Sequence, residues 1–329
     1  MRSAEMLKVP FRKSAFHFFT LLLFCGVALF FSHEVFASDP ILGKVLELDG
    51  VVESSMPGEK AGLLRPGMTL RTGAQLDLRP ESWIVLMMAD STVRKFSGPA
   101  TITMNENLDQ ERGSVLTRLG SALVGMLFAQ EQEGSEVVMA TRVPDKTDIS
   151  ETGKSHIPLL VLPAPGSSLL KKPSTFEWRK VEGIPLYRVS VYSWDRLLWQ
   201  GTTSDAALEC PPDRCKFEPG EEYHWVVEGL IGNSALRSKP AKFRILPENV
   251  RSELSQTLSD QGLPVLSKVR LCLSLNLYHT ALELVDSYVT QRPSDANAYR
   301  LRAEIKGMMG LHQDAFFDYF MASQLSSGK

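Results

Sequence analysis

Three patterns of hydrophobic and polar positions follow one another along the chain. An unbroken apolar run covers 18–31, and alternating positions with frequent turn residues continue to about residue 246. From 247 onward the apolar positions recur every three or four residues. A period of two places successive side chains on opposite faces of a strand, whereas a spacing of three or four builds one face of a helix. The pattern therefore predicts strands up to about 246 and helices after it.

The apolar run has the flanks of an export signal. Four basic residues precede it: Arg2, Lys8, Arg12 and Lys13. Val35 and Ala37 place small residues at −3 and −1 of a cleavage site before Ser38. The run is shorter than the roughly 20 residues that a membrane span needs. We therefore expect 1–37 to be a signal peptide and the protein to work in the periplasm or cell envelope. The alternative is an uncleaved leader that anchors the chain in the inner membrane, facing the periplasm.

The first segment after the leader, 38–145, alternates short strand-like runs with dense turns. The Asp49-Gly50 pair is a strong turn signal, and a run such as 84–88 has the composition of a buried strand. We expect a small all-β domain here. Residues 113–129 fit either a helix or two strands broken at Gly120, and the β context favours strands.

Two turns in this segment carry a family resemblance. Residues 64–74 are LRPGMTLRTGA and 89–93 are ADSTV. They resemble the G-D-x-L-x-T-G turn and the D-G-S hairpin of FecR-like periplasmic domains. Met68 replaces the acidic residue of that pattern, and Ser91 replaces its hairpin glycine. The resemblance implies a periplasmic β module. The anti-sigma segment of the iron-transport members is not expected, because the apolar run already begins at Phe18 and the chain before it is too short for such a domain.

A polar stretch at 146–157 predicts a linker to a second β segment, 158–246. In that segment, alternating aromatic and β-branched residues mark several strands, for example at 187–192 and 223–227. Their layout resembles fibronectin type III and Ig-like modules of bacterial envelope proteins, which implies a β-sandwich with the aromatic residues in its core. Cys210 and Cys215 are close enough in sequence for a hairpin disulfide, with two free thiols as the alternative.

The last segment, 247–329, repeats itself at a fixed spacing, which we call the repeat offset. It separates Ala281 from Ala315 and, equally, Asn276 from Gly310. A helix-turn-helix unit that recurs every ~34 residues resembles the tetratricopeptide repeat, and the resemblance implies two repeats plus a degenerate helix near 248–261. Two repeats are fewer than such an array usually needs alone. We therefore expect the array to lean on the sandwich or on another protein.

This helical tail offers two candidate surfaces for a partner. If the first helix of each repeat lines a concave groove, its polar residues are Arg270, Ser274, Asn297, Arg300 and Glu304. A solvated charged face is the alternative. The last predicted helix contains four aromatic residues close together in sequence: Phe316, Phe317, Tyr319 and Phe320. Four such residues cannot all face one side, so we expect one or two of them to form an exposed docking patch, unless they pack on the preceding helix and the sandwich.

Composition narrows the function further. The chain of 329 residues has 36 basic and 38 acidic side chains and a net charge of −2, which argues against nucleic-acid binding by phosphate neutralisation. No catalytic, metal-ligand or nucleotide-binding motif is found. We therefore expect no enzyme activity and no cofactor. The leading hypothesis is an envelope adaptor that binds proteins through its tail. The alternative is a ligand sensor or cell-wall binder that uses the FecR-like domain to bind peptidoglycan or a small ligand.

Overall fold

The first β segment folds into two sheets that share one core. The computed structural model describes residues 40–55, 60–105, 114–132, 157–232 and 234–327. The strands are β1 (Ile41–Asp49), β2 (Val52–Ser55), β3 (Gly62–Leu63), β4 (Thr69–Arg71), β5 (Gln75–Leu78), β6 (Trp83–Met88), β7 (Thr92–Ser97), β8 (Ala100–Thr103) and β9 (Ser114–Arg118). One sheet has the order β4-β1-β6-β7-β9 and the other β3-β2-β5-β8, and all neighbours that pair are antiparallel.

The turn at Asp49-Gly50 carries the chain from one sheet to the other. Strand β1 belongs to the five-stranded sheet and β2 to the four-stranded sheet, so this turn does not close a hairpin. Gly50 has a φ of +76°, and a Cβ there would lie 2.7 Å from Ser82 Cβ. Glycine is therefore required both by the backbone conformation and by the close approach of the next turn.

The five-stranded sheet is buried on both faces. Ile84, Leu86 and Met88 of β6 point into the core shared with the four-stranded sheet. Val85 and Met87 point the other way and belong to a core that they share with the helices. Because side chains alternate along a strand, a strand covered on both sides reads as a continuous apolar run, as 84–88 does.

The prediction of strands throughout 113–129 is half wrong. Strand β9 ends at Arg118, and helix α1 (Ser121–Gln132) follows. Helix α1 buries Leu123 and Leu127 in the core beside the outer face of the five-stranded sheet. Its N-terminus is satisfied by Glu253, whose carboxylate accepts a 2.8 Å hydrogen bond from the Leu123 N–H. This partner is 130 residues away, so the local pattern could not indicate it.

The second β segment forms two sheets packed around an aromatic core. Its strands are β10 (Leu159–Leu162), β11 (Ser167–Leu169), β12 (Thr175–Arg179), β13 (Leu186–Ser193), β14 (Arg196–Thr203), β15 (Ala207–Glu209), β16 (Glu222–Ile231), β17 (Ser234–Arg237) and β18 (Ala241–Ile245). A three-stranded sheet, β10-β12-β15, faces a six-stranded sheet, β11-β18-β16-β13-β14, in which β17 also pairs with β16. Phe176 of the first sheet meets Trp225 of the second at 5.1 Å between ring centroids.

Two local features fix the connection from β15 to β16. Cys210 and Cys215 form a disulfide between Cα atoms 6.0 Å apart. The hydroxyl of Tyr223, at the start of β16, accepts a 2.7 Å hydrogen bond from the backbone N–H of Glu218. The disulfide and this hydrogen bond together restrict the conformation of the segment that leads into β16, the central strand of the six-stranded sheet.

The tail is a series of helices with a regular offset. The helices are α2 (Glu248–Ser259), α3 (Val265–Ser274), α4 (Tyr278–Gln291), α5 (Ala296–Met308) and α6 (His312–Ser327). The first residues of α4 and α6 are separated by the repeat offset. Asn276 and Gly310, which precede these helices, both adopt left-handed backbone conformations, with φ of +58° and +79°. Asp295 caps α5 by accepting hydrogen bonds from the N–H groups of Asn297 and Ala298.

The tail contacts both β segments. Ser267 of α3 is hydrogen-bonded to Glu47 of β1, and the Ser168 N–H of β11 donates to the Asn276 carbonyl at 2.9 Å. The described residues from Ile41 onward consequently form one compact unit. The helices thus rest on the sandwich and also on the first β segment, which sequence alone did not indicate.

Some sequence predictions fall outside the described residues. The expected signal peptide, 1–37, lies outside them, as does all of the expected linker at 146–157 except Ile157. Among the helices of the described part, none combines the length and apolar character needed to cross a bilayer.

Candidate protein-protein interface

Helix α6 has the reverse of the polarity expected for a surface helix. Its buried residues are Ala315, Asp318 and Ala322, which are small or charged. Of the large apolar side chains of this helix, Leu325 packs against the core, whereas Phe316, Phe317, Tyr319, Phe320 and Met321 are exposed. A surface helix ordinarily turns its apolar stripe inward, so the position of these side chains requires an explanation.

The inward aspartate is held by two basic residues of α5. Asp318 is 3% exposed and accepts hydrogen bonds from Arg302 Nε at 3.0 Å and Arg302 Nη2 at 2.5 Å. Lys306 Nζ lies 2.7 Å from the same carboxylate. Burial alone would lower the pKa of Arg302, but hydrogen bonds and charges from Asp318 and Asp286 raise it overall. These ion pairs fix which face of α6 meets α5.

The outward side of α6 is a contiguous apolar surface, which we call the α6 outer face. It consists of Phe316 and Phe317 (each 67% exposed), Tyr319 (47%), Phe320 (53%) and Met321 (40%). The rings of Phe316 and Phe317 pack edge to face at 6.3 Å between centroids. The sequence predicted that one or two of the aromatic residues would be exposed. All four are exposed, because the inward positions are already taken by Ala315, Asp318 and Ala322.

The apolar part of the equivalent face of α4, one repeat earlier, is covered, while Glu283 and Ser287 of that face are exposed. Leu282 and Val285 precede Phe316 and Tyr319 by the repeat offset. Val285 is 0% exposed, and Leu282 is partly buried in the same core. Helix α5 packs against this face, and Arg302 of α5 pairs with Asp286 of α4 at 3.1 Å. Helix α5 thus covers the apolar part of this face on α4, whereas no helix of the described residues covers the corresponding part on α6.

An open groove lies beside the α6 outer face. It has a volume of about 490 Å³ and is lined by Arg300 of α5 and by Tyr319, Ala322 and Ser323 of α6. Partial burial raises the pKa of Tyr319, and the charge of Glu304 raises it further, while Arg300 lowers it. The groove therefore combines an aromatic wall with one basic side chain.

The residues of the predicted concave groove lie on α3 and α5, and two of them pair with each other. Arg270 Nη1 donates to Glu304 Oε2 at 2.8 Å, and both side chains are largely covered. Ser274 Oγ donates to the Arg270 carbonyl. Asn297 and Arg300 are exposed and hydrogen-bonded to each other at 3.1 Å. The most accessible polar residues of this set therefore lie at the N-terminal end of α5.

Sequence reasoning missed the residues that orient α6. Asp318, Arg302 and Lys306 were not singled out, and neither was Met321. The missing signal was present in the sequence: the positions 315, 318 and 322 have the spacing of a buried stripe but contain no large apolar residue. A stripe of this composition indicates that the opposite face of the helix needs a partner.

Other candidate chemistry is sparse in the described part of the chain. Among the residues of the described ranges, no group of three or more His, Cys, Asp or Glu side chains could hold a metal ion. Cys272 is a buried free thiol, and burial raises its pKa to about 12. A thiol of this kind is a poor nucleophile at neutral pH, because the thiolate is the reactive form.

Two comparisons with known proteins give no match. No protein-family model matches the chain, and no curated protein matches it. The fold and the α6 outer face are therefore the observations that bear on function.

Proposed function

We propose that the protein is a non-enzymatic adaptor of the cell envelope that binds another polypeptide through its helical tail. The observation that carries this proposal is the α6 outer face. Five neighbouring large apolar side chains are exposed on a helix whose inward side is fixed by ion pairs. Contiguous apolar surface of this kind marks an interaction site on a soluble domain.

Local geometry supports the module resemblances on which the envelope setting rests. Gly67 and Gly73 of the FecR-like turn both have positive φ, and so does Ser91, which stands at the glycine position of the hairpin pattern. The Tyr223 hydroxyl bonded to backbone upstream is similar to the tyrosine corner of Ig-like sandwiches. The repeat offset between α4 and α6 favours tetratricopeptide-like repeats.

In this proposal the β segments act as a platform for the tail. Strands β1 and β11 pack against α3 and α4, and the Glu47–Ser267 and Ser168–Asn276 hydrogen bonds join the β segments to α3 and to the turn before α4. The platform would hold α6 in one orientation and keep its outer face free. A preformed apolar face loses little conformational entropy when a partner docks.

A binding experiment with matched variants tests the proposal. Residues 38–329 contain the whole compact unit and would be used to recover partners from envelope extract. The variant Phe316→Ser/Phe317→Ser/Phe320→Ser should lose them. Trp194→Asn is the control, because Trp194 is an equally accessible aromatic residue, 80% exposed, on the sandwich. Equal recovery by the triple variant and the unmodified chain would contradict the proposal.

A further inference from the structure

We infer that the partner of the α6 outer face is the same face of a second copy of this chain, so that the protein is a two-fold symmetric dimer. The inference rests on the proposed function, since it names the occupant of the proposed binding surface. Three observations support it: the area of the face, its lack of charge, and the helix that covers the apolar part of the equivalent face of α4.

The area of the face reaches the minimum that a specific interface requires. A free aromatic side chain offers on the order of 200 Å² of surface. With the observed exposures, each aromatic residue of the face leaves roughly 100–130 Å² uncovered, and the whole face roughly 500 Å². Two copies would together bury about 1,000 Å² of apolar surface before any rim contact is added, which reaches the lower bound for a specific interface.

The chemistry of the face is self-complementary. None of its five residues is charged, so two copies can meet without placing like charges against each other. The equivalent positions of α4 and α6 differ in charge. Where α4 offers the carboxylate of Asp286 to Arg302, α6 offers the ring of Phe320, which is the equivalent position of the next repeat. A helix that docks on α6 must therefore be apolar at that point, and α6 itself meets this condition.

The occupant is expected to be a helix, because a helix covers the equivalent face one repeat earlier. In the described part of the chain, α6 is the helix whose large apolar side chains are the most exposed. Phe316 and Phe320 stand one turn apart at the centre of its face. A two-fold axis between them would bring Phe316 of one copy against Phe320 of the other, as an isologous contact requires.

Sedimentation equilibrium of residues 38–329 tests the inference directly. We expect a dimer that dissociates at micromolar concentration. Phe316→Ser/Phe320→Ser should weaken it at least about 100-fold, because both residues are central aromatic anchors. Trp194→Asn should leave the dissociation constant unchanged. Both substituted phenylalanines are more than half exposed, so the variant is expected to fold, and its circular dichroism and melting temperature would verify this.

Cross-linking locates the contact. In Met321→Cys the new thiol should give a covalent dimer with a short bismaleimide at protein concentrations where the unmodified chain dimerises, because Met321 lies on the α6 outer face but is not one of its two aromatic anchors. Glu283→Cys is the matched control, since Glu283 occupies the outer side of α4 one repeat before Phe317 and should give no dimer. A dimer that forms equally in both variants would place the contact elsewhere and overturn the inference.

The outcomes separate this inference from the proposed function. A chain that stays monomeric at about 100 μM overturns the dimer. If the monomer still recovers an envelope protein through Phe316, Phe317 and Phe320, the adaptor proposal stands with a different partner. If that monomer instead binds lipid vesicles through the same residues, or binds nothing, both proposals fail.

Discussion

Ser267 Oγ of α3 donates a 2.7 Å hydrogen bond to Glu47 Oε2 of β1, and the two residues are 220 positions apart. Ser267 is completely buried, and Glu47 lies at the contact between the first β segment and the tail. Burial raises the pKa of Glu47, and the negative charge of Asp295 also raises it. The Ser267 hydrogen bond and the positive charges of Lys95 and Arg270 lower this pKa, but the net shift is upward. A carboxylate thus sits where its charged form is disfavoured.

We predict that Glu47→Gln stabilises the protein at neutral pH. The folded state binds a proton on Glu47 more tightly than the unfolded state, so its contribution to stability falls as pH rises from about 4.5 through the raised pKa. Glutamine keeps an acceptor for Ser267 and removes the buried charge. Urea unfolding over a pH series should show the gain at pH 7 shrinking as pH drops towards 4.5.

The companion variant Ser267→Ala should cost about 1–3 kcal/mol at pH 7, since it leaves the Glu47 carboxylate without its donor. If the difference between Glu47→Gln and the unmodified chain does not change with pH, the interpretation of Glu47 is wrong.

The β6–β7 hairpin provides a second prediction. Ser91 adopts a φ of +69°, a conformation that disfavours residues with a Cβ. Ser91→Gly should therefore raise the free energy of unfolding by about 0.5–1 kcal/mol, the steric relief being partly offset by the entropy of glycine in the unfolded chain. Ser97→Gly, at the end of the same strand β7, should instead lower stability by a similar amount. Chemical denaturation would measure both, and a loss in Ser91→Gly would contradict the prediction.

A third prediction concerns the buried ion pairs of α6. Asp318→Asn leaves Arg302 and Lys306 without the carboxylate that neutralises them, so we expect a loss of about 3–5 kcal/mol in unfolding free energy. Asp314→Asn on the same helix is the control. Asp314 pairs with Arg179 of β12, and both side chains are about 40% exposed, so its loss should cost no more than about 1 kcal/mol. Equal effects of the two variants would show that Asp318 does not orient α6.

The coarse fold could be predicted from the sequence because it depends on local periodicity. Alternation at 187–192 and 223–227 predicted strands β13 and β16, and the repeat offset predicted helices α4 and α6. The surrounding β context favoured a strand where helix α1 forms, and the N-terminus of this helix is satisfied by Glu253, far away in sequence. Periodicity carries no information about such a partner.

The candidate interface was only partly predictable for the same reason. The crowding of Phe316, Phe317 and Phe320 is visible in the sequence, but their exposure depends on which side of α6 faces α5. That choice is made by the ion pairs of Asp318 with Arg302 and Lys306, which join two different helices. The burial of Glu47 beneath α3 is likewise a long-range effect that no pattern in β1 indicates.

The last prediction concerns Cys272, the free thiol in the core of the tail. Burial raises its pKa from 9.0 to about 12, so its thiolate fraction at neutral pH is ~1,000-fold below that of an ordinary thiol. In residues 38–329, we expect no reaction with a maleimide in the folded state and complete reaction in urea. The Trp194→Cys variant is the positive control, because Trp194 is 80% exposed on the sandwich, away from the α6 outer face, and its new thiol should react in the folded protein at the rate of a free thiol. Rapid labelling of Cys272 without denaturant would mean that α3 opens readily, and the tail would then not be the rigid support on which the adaptor and dimer proposals depend.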